Sequence, residues 1–109
     1  MRAGVSRTNW LRTKGRSRHS DVDLRFSSNA WDDYQHWITT DRNVLRRLNA
    51  VIKDALRSPF EGIGKPEPLK EDLAGWWSRR ITDEHRLIYR VAQSAGRPVL
   101  EIAACRFHY

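Results

Sequence analysis

The fold is decided by residues 76–107, WWSRRITDEHRLIYRVAQSAGRPVLEIAACRF, which contain three runs typical of β-strands. The runs cover residues 76–82, 85–92 and 99–107, and the segment QSAGRP between the last two is typical of a turn. Because short connections join successive strands, the pattern predicts an antiparallel meander.

The middle run predicts which face of this sheet is covered. Its side chains alternate between two sets, and alternate residues of a strand point to opposite faces. The sets are Leu87, Tyr89 and Val91 on one face and Arg86, Ile88 and Arg90 on the other. We therefore expect the first face to pack on helices and the second face to be polar and basic.

Two helices are predicted upstream of the meander. Ser28 can cap the first, with Asp32 and Asp33 in its first turn, and Asp41 can cap the second, which Pro59 ends. The apolar residues of the first are Ala30 or Trp31, Tyr34, Trp37 and Ile38. The second has Val44, Leu45, Leu48, Val51, Ile52, Ala55 and Leu56 at helical spacing, with Arg46, Arg47, Lys53 and Asp54 opposite.

The order of these elements predicts an α+β fold. Val22, Leu24 and Phe26 alternate with polar residues and indicate a further short strand before the helices. Residues 60–75 are rich in Gly and Pro and predict a long loop, a kind of segment that often has a function. We expect a helical hairpin packed on one side of a mostly antiparallel four- to five-stranded sheet.

The 109 residues suffice for one domain, which we place at residues 21–109. Residues 1–20 contain six Lys/Arg and no Asp/Glu, lack any helical or strand period, and predict a disordered basic extension. Residues 76–109 have six basic and three acidic side chains, so much of the remaining positive charge of this +7 chain lies in its C-terminal third. This distribution indicates an acidic partner such as nucleic acid.

Several classes of protein are disfavoured. No apolar run reaches the roughly 18–20 residues of a membrane span, and no secretory signal is present, so we expect a cytoplasmic protein that does not enter the membrane. Cys105 is the only cysteine, which excludes an internal disulfide. The four histidines lack metal-ligand spacing and Gly62–Lys65 is not a phosphate loop, so we expect no metal and no cofactor.

The C-terminal half concentrates side chains suited to metal-independent RNA cleavage, which needs a base, an acid and cations around the phosphate. The alternative is a non-catalytic nucleic-acid-binding module in which the arginines contact only phosphates. The candidate residues are Glu67, Lys70, Arg79, Arg80, Glu84, His85, Arg86, Arg106, His108 and Tyr109.

Four motifs resemble the YoeB (Txe) toxin family within the RelE superfamily. They are WDDY at residues 31–34, SPFEGIGKPEPLK at 58–70, WSRRITDEHRL at 77–87 and IAACRFHY at 102–109. The similarity spans residues 22–109. It implies a RelE-like fold and a toxin that cleaves messenger RNA in the ribosomal A site by 2′-OH attack. It also implies inhibition by a YefM-type antitoxin, binding of operator DNA by the toxin–antitoxin complex, and allows a homodimer.

The resemblance also implies roles for single residues. Glu67 matches the general base, Arg86 the arginine that stabilises the phosphate, and His108 and Tyr109 the C-terminal catalytic pair. Lys70 and Arg80 match basic residues that bind substrate or the transition state, and Glu84 matches a carboxylate near the site whose role stays open. Apart from the resemblance, we expect Arg79 and Arg106 to bind substrate as well. His85 adjoins Glu84 at the start of a strand, so we expect a structural rather than a catalytic role. The flanking Pro66 and Pro68 stiffen the backbone of Glu67.

Overall fold

The computed structural model describes residues 22–107. The predicted N-terminal extension and the predicted catalytic pair His108–Tyr109 lie outside this range. Within it, one strand, two α-helices and three further strands follow one another in the order that the sequence predicts, and the predicted loop contains an additional two-residue strand and a 3-10 turn. Their bounds are β1 Asp23–Phe26, α1 Ser28–Thr40, α2 Arg42–Arg57, β2 Glu67–Pro68, β3 Trp77–Arg80, β4 Arg86–Ser94 and β5 Arg97–Ala104.

The strands form one sheet in the order β1-β5-β4-β3-β2. β1 pairs with β5 in parallel, and all other pairings are antiparallel. The two helices pack on one face, which we call the inner face. The predicted fold class is therefore confirmed. Neither helix in the described range is long and apolar enough to cross a membrane.

The helical hairpin begins at two side-chain caps. Asp41 accepts hydrogen bonds from the backbone N–H groups of Asn43 (3.0 Å) and Val44 (3.1 Å), as predicted. The cap of α1 is Ser27, whose hydroxyl accepts from the N–H of Ala30, and not Ser28. The shift by one residue places no acidic side chain in the first turn of α1, contrary to the sequence prediction.

Replacing the second cap gives a modest, testable effect. Asp41→Ala removes the acceptor of two N–H groups, and we expect the free energy of unfolding to fall by about 1 kcal/mol. Urea denaturation measures this difference. Asp41→Ser keeps an acceptor and is expected to lose much less, so equal losses for the two variants would contradict the capping role.

The core lies between α2 and the inner face of the sheet. Leu48, Val51 and Ala55 are fully buried, as the period of α2 predicts, and they belong to one cluster with Leu87 and Tyr89. The predicted pattern of α1 is only partly right. Its buried residues are Ala30, Asp33 and Trp37, while Trp31 is 50% and Ile38 45% exposed.

The exposure of Trp31 has a local cause. Its ring stacks on Tyr34 and meets Phe26 edge-on at the side of α1 that faces β1. β1 is the edge strand of the sheet, and no further strand of the described range extends beyond it. An apolar side chain at this position is therefore covered on one side only.

Candidate active site

Strand register places three of the predicted residues on the face of the sheet opposite the helices, the outer face. Glu67 pairs with Ser78, and Ser78 pairs with Ile88. Two residues further along the same strands, Arg80 pairs with Arg86. Paired residues, and residues two apart on one strand, share a face. Glu67, Arg80 and Arg86 therefore belong to one surface.

This outer face is basic but not uniformly polar. Ile88 is only 6% exposed and Ser78 only 3%, so both form a buried row beneath the charged residues. Glu67 and Arg80 are exposed and Arg86 is half-buried. The prediction of a polar, basic face is right for the arginines and wrong for Ile88.

Arg80 and Arg86 form a pair of like charges. Directly opposite residues of antiparallel strands have Cβ atoms about 5 Å apart, and two positive charges in that relation repel each other. Among residues 22–107, neither arginine forms an ion pair with a carboxylate. An anion bound between the two guanidinium groups would relieve the repulsion.

The guanidinium of Arg86 is fixed before any anion arrives. Its Nη1 donates to the carbonyl oxygens of Thr82 (2.8 Å), Asp83 (3.2 Å) and His85 (3.1 Å) in the turn before β4. Its Nε and Nη2 donate to no group within the described part of the chain. A cation held in this way needs little reorganisation to stabilise charge that develops on a phosphate.

Glu67 lies on a segment whose path is closely constrained. The N–H of Arg80 donates to the carbonyl of Gly64 at 2.6 Å, and Gly64 has a φ of +81°. A Cβ at Gly64 would lie 3.0 Å from the carbonyl oxygen of Arg80, so only glycine fits without a shift. The segment that leads to Glu67 is thereby tied to Arg80. Two strand spacings, about 10 Å, separate β2 from β4 on this face.

Arg79 corrects the sequence prediction. Expected to bind substrate, it is fully buried on the inner face. All five of its N–H donors are used, so it has no donor left for a substrate. Nε donates to the Tyr89 hydroxyl, Nη1 to the Asp54 carboxylate and the Ile63 carbonyl, and Nη2 to the carbonyls of Ser58 and Glu61.

Asp54 is the buried counterion of this arginine, although the sequence places it on the polar side of α2. Burial raises the pKa of its carboxyl group. Hydrogen bonds from Arg79 and from the N–H of Ile63, together with the charges of Arg79 and Arg57, outweigh burial, and the net pKa is lowered. The Asp54–Arg79 pair therefore fixes residues 58–63, the first part of the loop that leads to Glu67.

This lowered pKa predicts how stability depends on pH. A carboxyl group whose pKa is lower in the folded state contributes stability above its unfolded pKa of about 4, and this is lost as the pH falls through the folded pKa. As the pH is lowered below about 4, we expect the free energy of unfolding of the parent to decrease. In the same pH range, the plot of stability against pH for Asp54→Asn should converge with that of the parent. Urea titrations between pH 2 and 7 measure both, and parallel curves would contradict the assignment.

Three further predicted residues lie at the periphery. Lys70 is exposed at the start of the 3-10 turn Glu71–Leu73 and lines a shallow cavity of about 520 Å³. Arg106 places its guanidinium 4.5 Å from the centre of the Phe107 ring. Glu84 has 86% of its side chain exposed, and its carboxylate lies 3.8 Å from Nε2 of His85. For Lys70 and Arg106, binding of substrate remains a prediction.

His85 is held by contacts typical of a structural residue. Its Nδ1 accepts a hydrogen bond from the N–H of Phe107 at 2.7 Å, and its ring meets that of Trp37 edge-on at 4.7 Å. Only 15% of its side chain is exposed. These contacts could not be predicted from the sequence, because Trp37 and Phe107 come from distant segments that only the fold brings together.

The predicted site residues brought together on the outer face supply one carboxylate and two guanidinium groups. In residues 22–107 no three His, Cys, Asp or Glu side chains are grouped so that they could hold a metal ion. A carboxylate can take a proton and the arginines can bind a phosphate and the charge that forms on it. This combination is suited to transfer of a phosphoryl group.

Known proteins similar to this chain are bacterial toxins. The model of the YoeB-like toxin of bacterial type II toxin-antitoxin systems matches residues 26–109. Toxin YoeB of Escherichia coli K12 is 55% identical over 88 residues, which cover 81% of this chain and all of the relative.

Solved structures agree with the sequence comparison. A YoeB/ParE toxin from Agrobacterium tumefaciens superposes with a TM-score of 0.75 at 53% identity, covering 80% of this chain and 99% of the other. The toxin in a heterotetrameric YoeB–YefM toxin-antitoxin complex from Staphylococcus aureus gives a TM-score of 0.70 at 39% identity, covering 81% and 98%. The resemblance found in the sequence motifs is thus confirmed.

Proposed function

Because the chain belongs to the family of YoeB-like toxins of bacterial type II toxin-antitoxin systems, we propose that it is an endoribonuclease that cleaves messenger RNA in the ribosomal A site. The chain is the toxin of such a system. The parts that we propose are its target, messenger RNA on the ribosome, and its reaction, cleavage of that RNA. In this proposal it acts in the cytoplasm, where translating ribosomes are found, and stops translation by cutting the message.

The observation that supports this proposal most strongly is the shared face of Glu67, Arg80 and Arg86. Glu67 removes the proton of the ribose 2′-OH, and the oxygen attacks the adjacent phosphorus. The bond between phosphorus and the 5′-oxygen breaks, which leaves a 2′,3′-cyclic phosphate and a 5′-OH. The two arginines bind the non-bridging oxygens as negative charge increases on them.

The departing 5′-oxygen needs a proton. In this proposal His108, with Tyr109 beside it, supplies the proton, as the family resemblance implies for the C-terminal pair. Glu67 cannot serve both steps at once, since it has just accepted a proton on the opposite side of the phosphorus. Lys70 and Arg106 extend the basic surface for the neighbouring phosphates or for ribosomal RNA.

The small positive charge outside residues 1–20 supports a role for the ribosome. Fourteen basic and thirteen acidic residues in positions 21–109 leave a formal charge of +1, which gives little long-range attraction for free RNA. In this proposal the ribosome holds the message, and the toxin adds only the groups that react. A YefM-type antitoxin would inhibit the chain, and the two together would bind operator DNA.

The experiment is cleavage of an end-labelled messenger RNA with and without programmed ribosomes, with EDTA in the ribosome-free arm. We expect cuts near the A-site codon, only on ribosomes, with cyclic-phosphate ends. Cleavage of free RNA alone would contradict the role of the ribosome. Binding without any cleavage by folded protein would favour the alternative, a nucleic-acid-binding module.

A further inference from the structure

The segment that follows β5 is held by its backbone. Cys105 donates its N–H to the Asp33 carboxylate at 3.0 Å, and its carbonyl accepts from the indole N–H of Trp37 at 2.9 Å. Cys105 is fully buried, and Asp33 and Trp37 are 9% and 5% exposed. Two side chains one turn apart on α1 thus form hydrogen bonds with both backbone polar groups of Cys105, at the point where the chain leaves the sheet.

The backbone of Phe107, two residues later, is also held by two hydrogen bonds. The N–H of Phe107 donates to Nδ1 of His85 at 2.7 Å, and its carbonyl accepts from the N–H of Arg86 at 3.1 Å. Burial does not explain this placement, since Phe107 is 58% exposed. Its φ of +67° is also unfavourable for a residue other than glycine. The backbone contacts therefore have to maintain this conformation.

His85 contacts both the residue that holds Cys105 and the backbone of Phe107. Its ring meets Trp37, which holds Cys105, while its Nδ1 holds Phe107. A ring nitrogen that accepts a hydrogen bond is unprotonated, so the proton of the neutral ring is on Nε2. His85 therefore cannot hold the tail as an imidazolium ion and is unsuited to donating a proton from Nδ1 to a leaving group.

We propose that His85 is a positioning residue that, with Asp33 and Trp37, fixes the backbone of the C-terminal tail at Phe107 beside Arg86. The carbonyl of Phe107 accepts from the backbone N–H of Arg86, so the chain is held at Phe107 beside the arginine that binds the phosphate in the proposed function. This inference rests on the proposed function, in which residues 108 and 109 supply the leaving-group proton.

Two substitutions separate the hydrogen bond of His85 from its packing. His85→Phe keeps a ring against Trp37 but has no acceptor, and we expect kcat for cleavage on programmed ribosomes to fall 10- to 100-fold with KM changed less than about 3-fold. His85→Asn places an amide oxygen near the position of Nδ1 and is expected to recover most of kcat. In a chain that lacks residues 108 and 109, His85→Phe should cause no further loss.

Amide hydrogen exchange tests the hydrogen bond between the Phe107 N–H and His85 without a measurement of cleavage. We expect the N–H of Phe107 to be protected in the parent and to exchange at least 10-fold faster in His85→Phe, with protection restored in His85→Asn. An unchanged exchange rate of the Phe107 N–H in His85→Phe would contradict the proposal that His85 holds this N–H. Full kcat in His85→Phe, or an equal further loss in the truncated chain, would overturn the positioning role alone. A parent that cleaves no RNA would instead overturn the proposed function.

Discussion

Glu67→Gln is expected to lower the rate of RNA cleavage by about 10²- to 10⁴-fold, the usual contribution of a general base. The amide has nearly the shape of the carboxylate but cannot accept the 2′-OH proton. Glu67 is exposed in the two-residue strand β2, so the free energy of unfolding should change by less than about 0.5 kcal/mol. Single-turnover cleavage on programmed ribosomes measures the rate, and thermal denaturation checks the fold.

Glu61→Gln is the matched control for this variant. Glu61 is an exposed carboxylate in the same loop, and its known contact is made by its backbone carbonyl, which accepts from Arg79. We expect this variant to cleave at the parent rate. If Glu67→Gln also cleaved at the parent rate, Glu67 would not be the base.

Arg79→Met is expected to destabilise the fold by about 3–5 kcal/mol, the usual cost of removing one partner from a buried ion pair. The substitution keeps an unbranched but shorter side chain. It leaves the Tyr89 hydroxyl and three carbonyl groups without the donor of Arg79 and removes the buried counterion of the Asp54 carboxylate. Since small domains have a total stability of about 5–15 kcal/mol, this loss is a large part of the whole. Guanidinium denaturation measures it.

Arg80→Met provides the comparison from the neighbouring position. Arg80 is exposed on the outer face, and we expect a loss below about 0.5 kcal/mol in stability together with weaker cleavage. The double variant Arg79→Met, Asp54→Asn should recover part of the stability, because it leaves no unpaired buried charge. A loss below 1 kcal/mol for Arg79→Met alone would contradict the structural role of Arg79.

The periodic elements could be predicted from the sequence because their burial follows from apolar spacing. α2 is the clearest case, since Leu48, Val51 and Ala55 recur at helical spacing and are buried as expected. The polar members of the core could not be predicted in this way. Asp54 and Arg79 are each hydrophilic, and only their pairing across 25 residues makes their burial favourable.

The candidate site was predictable in its residues but not in its geometry. Glu67 between two prolines and the arginines of β3 and β4 stand out in the sequence. Which arginine faces outward depends on strand register, and that register places Arg79 inward and Arg80 outward. The contacts that hold the tail could not be predicted for a similar reason. The sequence pattern places Asp33 in the first turn of α1, whereas in the structure its carboxylate accepts a hydrogen bond from the N–H of Cys105.

In the proposed mechanism the toxin cuts RNA through the 2′-OH of the message. The direct test is a messenger RNA that carries a single 2′-deoxynucleotide on the 5′ side of the scissile phosphate, presented to the toxin on a programmed ribosome. We predict that cleavage at that position disappears while an all-ribose message is cut normally and yields a 2′,3′-cyclic phosphate. Cleavage of the deoxy-substituted message at the same position and rate would contradict this mechanism.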